Sequence, residues 1–254
     1  MKALNRLLKS ILLTVLIYCC NTIIIIGQSN EARWSYPVRP GMSEWAILKT
    51  DTEKFNACQI PENIIDTIST ADLLGLCIDF PLFHRIILYD NMLHGMDALT
   101  EKFNGFAELS KRNNLDKTLI ERYRRLQIPK DFDSISDTEI KRIVAEAWRL
   151  EIILVRFGLS DSCSPEYIKD YVAESHEKYV TKRNNPHIFS SFSYVLPFHI
   201  LAKTLSKLSP EVGDQLNCNT MEYRNLIEHL VMPTGEYESS VLNLADSVLQ
   251  DSIR

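Results

Sequence analysis

Apolar residues return every third or fourth position along most of this chain, the period of an α-helix with one buried face. Met92, Leu93, Met96, Leu99 and Phe103 mark one such helix, ending at Asn104-Gly105. Leu115, Leu119, Tyr123 and Leu126 mark the next. Ser136-Asp137-Thr138-Glu139 has the form of a capping box and opens the strongest helix of the chain, with Ile140, Ile143, Val144, Ala147 and Trp148 on one face. From 152 to 155 that helix is apolar all round, which predicts a central, buried position, and Gly158 suits its end.

Other helix starts read the same way. Ser69 with Asp72 is a near capping box, and Ser164-Pro165-Glu166 and Ser209-Pro210-Glu211 each place a cap before a proline. The last helix is expected over about 238–252, with Val241, Leu244, Ala245 and Val248 as its stripe. Residues 188–195 alone have strand character, through Phe189, Phe192, Tyr194 and Val195, and Pro197 suits the start of a helix reaching Leu208. Residues 34–45 hold two prolines and a glycine and read as an extended arm pinned by Trp34, Tyr36 and Trp45, with a helix starting at Ser43. Ile60-Pro61 with Ser69 is echoed by Ile128-Pro129 with Ser136, at an offset outside the usual helical-repeat periods; it reads as recurrent helix-start chemistry. The expected fold is all-α: an irregular multi-helix bundle or a short α-solenoid-like array with an extended N-terminal arm.

The first residues break this pattern. Lys2, Arg6 and Lys9 precede a nearly continuous apolar run from Ser10 to Ile26, and polarity returns at Gly27-Gln28-Ser29. These are the parts of a secretory signal. The expected organisation is a signal peptide over 1–28 and a single helical domain over 29–254, with 128–135 as the place for a sub-boundary. Cleavage near Gly27 or Gln28 is expected, with an uncleaved anchor as the alternative. Cys19 and Cys20 lack the small preceding residue that lipid attachment requires.

Composition sharpens the class. The 254 residues are 45% hydrophobic and 24% charged, an ordinary globular balance, and only eight are glycine, too few for Gly-rich phosphate loops. Removing the leader, with its three bases and no acid, takes the net charge from −5 to −8. A negative chain repels nucleic acid and anionic lipid, so no nucleic-acid partner is expected, and a membrane only through an uncleaved leader. The basic run of Lys111, Arg112, Arg122, Arg124 and Arg125 is offset by Asp116 and Glu121 and reads as a solvated helix face. Cys58, Cys77, Cys163 and Cys218 follow the leader; an even count permits disulfides after export, and Cys77 reads equally as a buried thiol.

Chemical motifs are sparse. His176-Glu177 lacks the second histidine of a zinc helix, and Asp131, Asp133 and Asp137 lack the later ligands and the glycine of a calcium loop. No CxxC pair occurs, so no metal or cofactor is expected. His94 and Asp97 share a helix face and read as a surface pair, and His84 and His199 read as core histidines. A nucleophilic pair of Cys58 with a distant histidine is the general form of an enzyme reading.

Gln59-Ile60-Pro61-Glu62, then Ser69-Thr70 with Leu73, then Asp79-Phe80-Pro81-Leu82-Phe83, resembles a recurring segment of exported bacterial proteins of unknown function. Phe103-Asn104-Gly105 with Glu108-Leu109 and Lys111-Arg112 is similar too, so the resemblance spans about 35–127, with Phe80 where tyrosine is expected. It implies export and a helical fold, and no site residue carries over. The expected function is a non-enzymatic binding domain of the cell envelope, periplasm or extracellular space, using Trp34, Tyr36 and Trp45 as contacts to a protein or envelope partner. The alternative is a hydrolase whose site is assembled from distant residues.

Overall fold

A computed structural model describes residues 34–161, 163–216 and 218–251. The leader read from the sequence lies outside the described residues. The chain divides into two units, Met1–Tyr36 and Pro37–Arg254. In the first, Trp34 meets Tyr36 edge-on with ring centroids 5.1 Å apart.

The second unit is helical throughout, with no strand among the described residues. Its first half is α1 (Ser43–Ile47), α2 (Asp51–Ala57), α3 (Glu62–Ile65), α4 (Thr70–Ile78), a 3-10 segment (Phe83–Leu88), α5 (Met92–Lys102), α6 (Asn104–Leu109) and α7 (Leu115–Arg125). The second half is α8 (Asp137–Phe157), α9 (Pro165–Arg183), α10 (Ser191–Ser206), α11 (Pro210–Gln215), α12 (Met221–His229) and α13 (Gly235–Asp251).

Caps set many of the starts. Thr50 and Glu53 form a full capping box on α2, and the hydroxyls of Ser69, Ser209 and Thr220 accept from amides of α4, α11 and α12. On α8 only half of the expected box forms. Ser136 accepts the Glu139 amide at 3.3 Å, whereas the Glu139 carboxylate turns to Arg142 at 2.7 Å. The helix over 92–102 ends at Phe103, and Asn104-Gly105 begins α6 instead of a loop.

The first half closes around phenylalanine. Phe80 stacks on Phe103 at 4.1 Å, and Phe106 meets Phe80, Phe83 and Phe103 edge-on. A reciprocal amide clamp fixes the α2–α3 turn to the α5–α6 junction. Asn104 donates to and accepts from the Ile60 backbone at 2.7 and 3.0 Å, and Gln59 accepts the Asn104 amide at 3.0 Å while donating to the Lys102 carbonyl at 2.9 Å. Residues 44 positions apart in sequence therefore meet in a structural staple. Gly95 lets α5 approach the 3-10 segment; a Cβ there would stand 2.7 Å from the Ile86 backbone.

The second half is built on α8, α9 and α10, with α13 against the last two. Every residue of α8 from 150 to 155 is buried, which includes the run over 152–155 expected to be. The segment with strand character is helical: residues 185–189 form a turn, and α10 begins at Ser191. Pro197 lies inside α10 rather than at its start. Proline has no amide hydrogen, so the carbonyl four residues back, on Ser193, loses its helical donor. Lys182 of α9 supplies the replacement: its Nζ donates to the Ser193 carbonyl at 3.2 Å. That substitution comes from another helix, which is why local sequence did not announce it.

Candidate functional site

The N-terminal half of α8 presents two adjacent rows at four-residue spacing, Ile140-Val144-Trp148 and Asp137-Lys141-Ala145. Such steps stack side chains on one helix face. Phe132 and Asp133 from the preceding loop, and His187 and Ile188 from the α9–α10 turn, complete the lining of an open groove of about 620 Å³. From Asp137 to Trp148 the helix runs about 17 Å at its usual rise. The apolar lining is half-buried, with Phe132 buried, and Asp133, Asp137, Lys141 and His187 are exposed at the rim.

The rim is acidic at its Asp133 end. Asp131 accepts the Asp133 amide at 2.9 Å, which places a third carboxylate there. Lys130, next to Asp131 in sequence, faces Glu177 at 3.6 Å.

Rigid supports stand behind the groove. Trp148 meets Phe83 of the phenylalanine cluster edge-on at 5.7 Å. Phe132 meets the buried Phe189 at 5.8 Å, and Lys182 Nζ lies 5.5 Å from the Phe189 ring centre. Lys182 and Glu151 form an ion pair whose two side chains are both 0% exposed. The Tyr123 hydroxyl donates to the other Glu151 oxygen at 3.2 Å. Lys178 donates to Glu174 at 2.5 Å and sits 4.4 Å from the Tyr123 ring centre. Burial raises the Glu151 carboxyl and the Lys182 ammonium opposes it; burial lowers Lys182 and Glu151 opposes that. Two acids and two bases thus balance, and the array ties α7, α8, α9 and α10 together.

Neither member of the pair was singled out in the sequence. The available signal was Glu151 within an otherwise apolar, fully buried stretch, where a lone acid requires a partner. Its partner was hidden because the buried face of α9 includes Ser175, Lys178, Thr181 and Lys182, which erases the apolar stripe.

Of the residues expected to contact a partner, two lie in the first unit and one in the second. Tyr36 is 3% exposed, Trp34 is half-buried beside it, and Trp45 is half-buried in α1. The histidines fall differently from their expected places. His84 is exposed in the 3-10 segment rather than in the core, because that tighter helix turns it outward while Phe83 and Ile86 point in. His94 faces Asp90 at 3.6 Å rather than Asp97, which Arg156 holds at 2.5 Å. His176 faces Asp246 at 3.4 Å. None of these lines the groove. His199 is buried as expected; desolvation, helped by Lys203, pushes it down to about 3, and it stays neutral beside the Ile227 carbonyl at 3.3 Å.

The four cysteines among the described residues, Cys58, Cys77, Cys163 and Cys218, are free thiols. Burial pushes Cys58 and Cys163 up to about 11, Cys77 well up and Cys218 up. A catalytic thiol needs the opposite shift, because the thiolate is the nucleophile. Cys218 lines a second, more polar cavity of about 500 Å³ with Ser206, Asp214 and Tyr223. No cluster of three metal-ligating side chains occurs among the described residues, and no described helix is long and apolar enough to cross a membrane.

No known protein family, curated protein or solved structure matches the chain.

Proposed function

We propose that this is an exported, non-enzymatic binding domain of the bacterial envelope or its exterior, and that the groove along α8 receives the apolar face of a protein partner. One observation carries the binding reading: Ile140, Val144 and Trp148 form a continuous apolar floor, open to solvent and held from behind by Phe83 and Phe189. Ligand sites are concave, largely preformed and mostly apolar with a few polar groups at the edge. The leader pattern, with three bases, a long apolar run and a polar exit, supports export. Trp45, half-buried in α1, offers a further apolar contact. The hydrolase alternative lacks comparable support, since the thiols are held protonated and His199 is neutral and enclosed.

Nile red, a neutral apolar dye, tests the groove. Its emission should brighten and shift to the blue with the wild-type protein. Val144→Arg should lower its affinity at least about tenfold, about 1.4 kcal/mol, with an unchanged helical spectrum. Equal binding by the folded variant would remove the groove from the proposal.

A further inference from the structure

We infer that the groove takes a basic amphipathic helix, a segment of a partner protein with apolar residues at four-residue steps and lysine or arginine beside them; this rests on the groove being a binding site. Three features point to that occupant. The floor is linear, because Ile140, Val144 and Trp148 follow one helix face over about 12 Å, the length of just over two helical turns. A helix laid in such a groove anchors through side chains at the same four-residue repeat.

The charge of the rim selects the sign. Asp133 and Asp137 line it and Asp131 stands beside them, against Lys141 as the one lysine or arginine in the lining. Neighbouring bases are already engaged: Lys130 with Glu177, and Arg142 with Glu139 and Glu146. An incoming cation at the Asp133 end meets unspent carboxylate, whereas an acid there meets repulsion. Complementary rim charge governs approach and selectivity while the apolar floor supplies the contact area. The −8 balance of the chain without its leader steers the same kind of partner from a distance.

Two designed peptides of about 14 residues, long enough to cover that floor with a turn to spare, decide the matter by calorimetric titration. Both have leucine at four-residue steps; one has lysine on the flanking positions and the other glutamate. At about 0.05 M salt the lysine peptide should bind at least about tenfold more tightly than the glutamate peptide. That ratio should fall toward one at about 1 M salt, where charges are screened beyond about 3 Å. It should also fall toward one in Asp133→Lys/Asp137→Lys, whose folding is checked by its thermal transition. Val144→Arg should weaken the lysine peptide at either salt.

Equal affinities for the two peptides, both sensitive to Val144→Arg, would overturn the charge selection and leave the groove standing. Nile red binding with no binding of either peptide would overturn the helical occupant. Lysine-peptide binding indifferent to Val144→Arg would place the contact elsewhere. Tighter Val144-dependent binding to vesicles containing phosphatidylglycerol than to the peptide would assign the groove to a membrane surface and overturn the inference.

Discussion

Replacing Lys182 by methionine lowers the stability of the fold by about 3–5 kcal/mol in chemical denaturation, the cost of stranding a buried charge. The methionine fits the space but leaves Glu151 ionised at 0% exposure with only the Tyr123 hydroxyl. It also strips the Ser193 carbonyl of the donor that replaces the missing amide of Pro197. The second loss has its own control. Pro197→Ala restores a helical amide to that carbonyl, so in the Lys182→Met background it should recover about 1 kcal/mol more than in wild type. Additive effects would show that Lys182 does not complete the α10 ladder.

The pH dependence of Lys182→Met has a definite sign. Burial already raises the Glu151 carboxyl, and the variant removes the ammonium that opposes the rise. A carboxyl whose folded-state value lies above its unfolded value of about 4.3 favours the fold below that value. The advantage is lost as pH rises through the folded value. The deficit against wild type should therefore be smaller at about pH 5 than at about pH 8. A deficit that shrinks as pH rises would contradict an ionised, unpaired Glu151.

Phe106→Ala should cost about 3–5 kcal/mol, the range for emptying a large aromatic from a core. Phe106 is 0% exposed and touches the rings of Phe80, Phe83, Phe103 and Phe157 at 5.4–6.3 Å. These neighbours come from separate elements and are held by the Gln59–Asn104 clamp, so they collapse poorly into the space left. Phe192→Ala is the matched comparison: Phe192 is 68% exposed, and its loss should stay within about 0.5 kcal/mol. Similar losses for the two would contradict the phenylalanine cluster as the core of the first half.

The helical class was legible because single helices announce themselves locally. Ile143, Ala147 and the run through Val155 gave α8, and Val241 and Ala245 gave α13, since each stripe lies on one element. Features shared between helices were not legible. Pro197 looked like a helix start because its missing donor is replaced from α9, and residues 188–195 looked like a strand although Phe189 packs on Phe132 from a turn and Tyr194 on Tyr179 from α10. The apolar residues of the groove were visible as a helix stripe. That Ile140, Val144 and Trp148 remain partly open depends on where the 132–133 loop and the 187–188 turn fall, which no local pattern encodes.

Trp148 offers the most direct measurement of the central claim, because it lies in the groove floor. With Trp34 and Trp45 changed to phenylalanine, Trp148 is the one remaining tryptophan of the three in the chain. Adding the lysine-bearing peptide should shift its half-buried emission to the blue, saturating with the affinity found by calorimetry, as the ring leaves water. Calorimetric binding that leaves the Trp148 emission unchanged would contradict a binding site along α8.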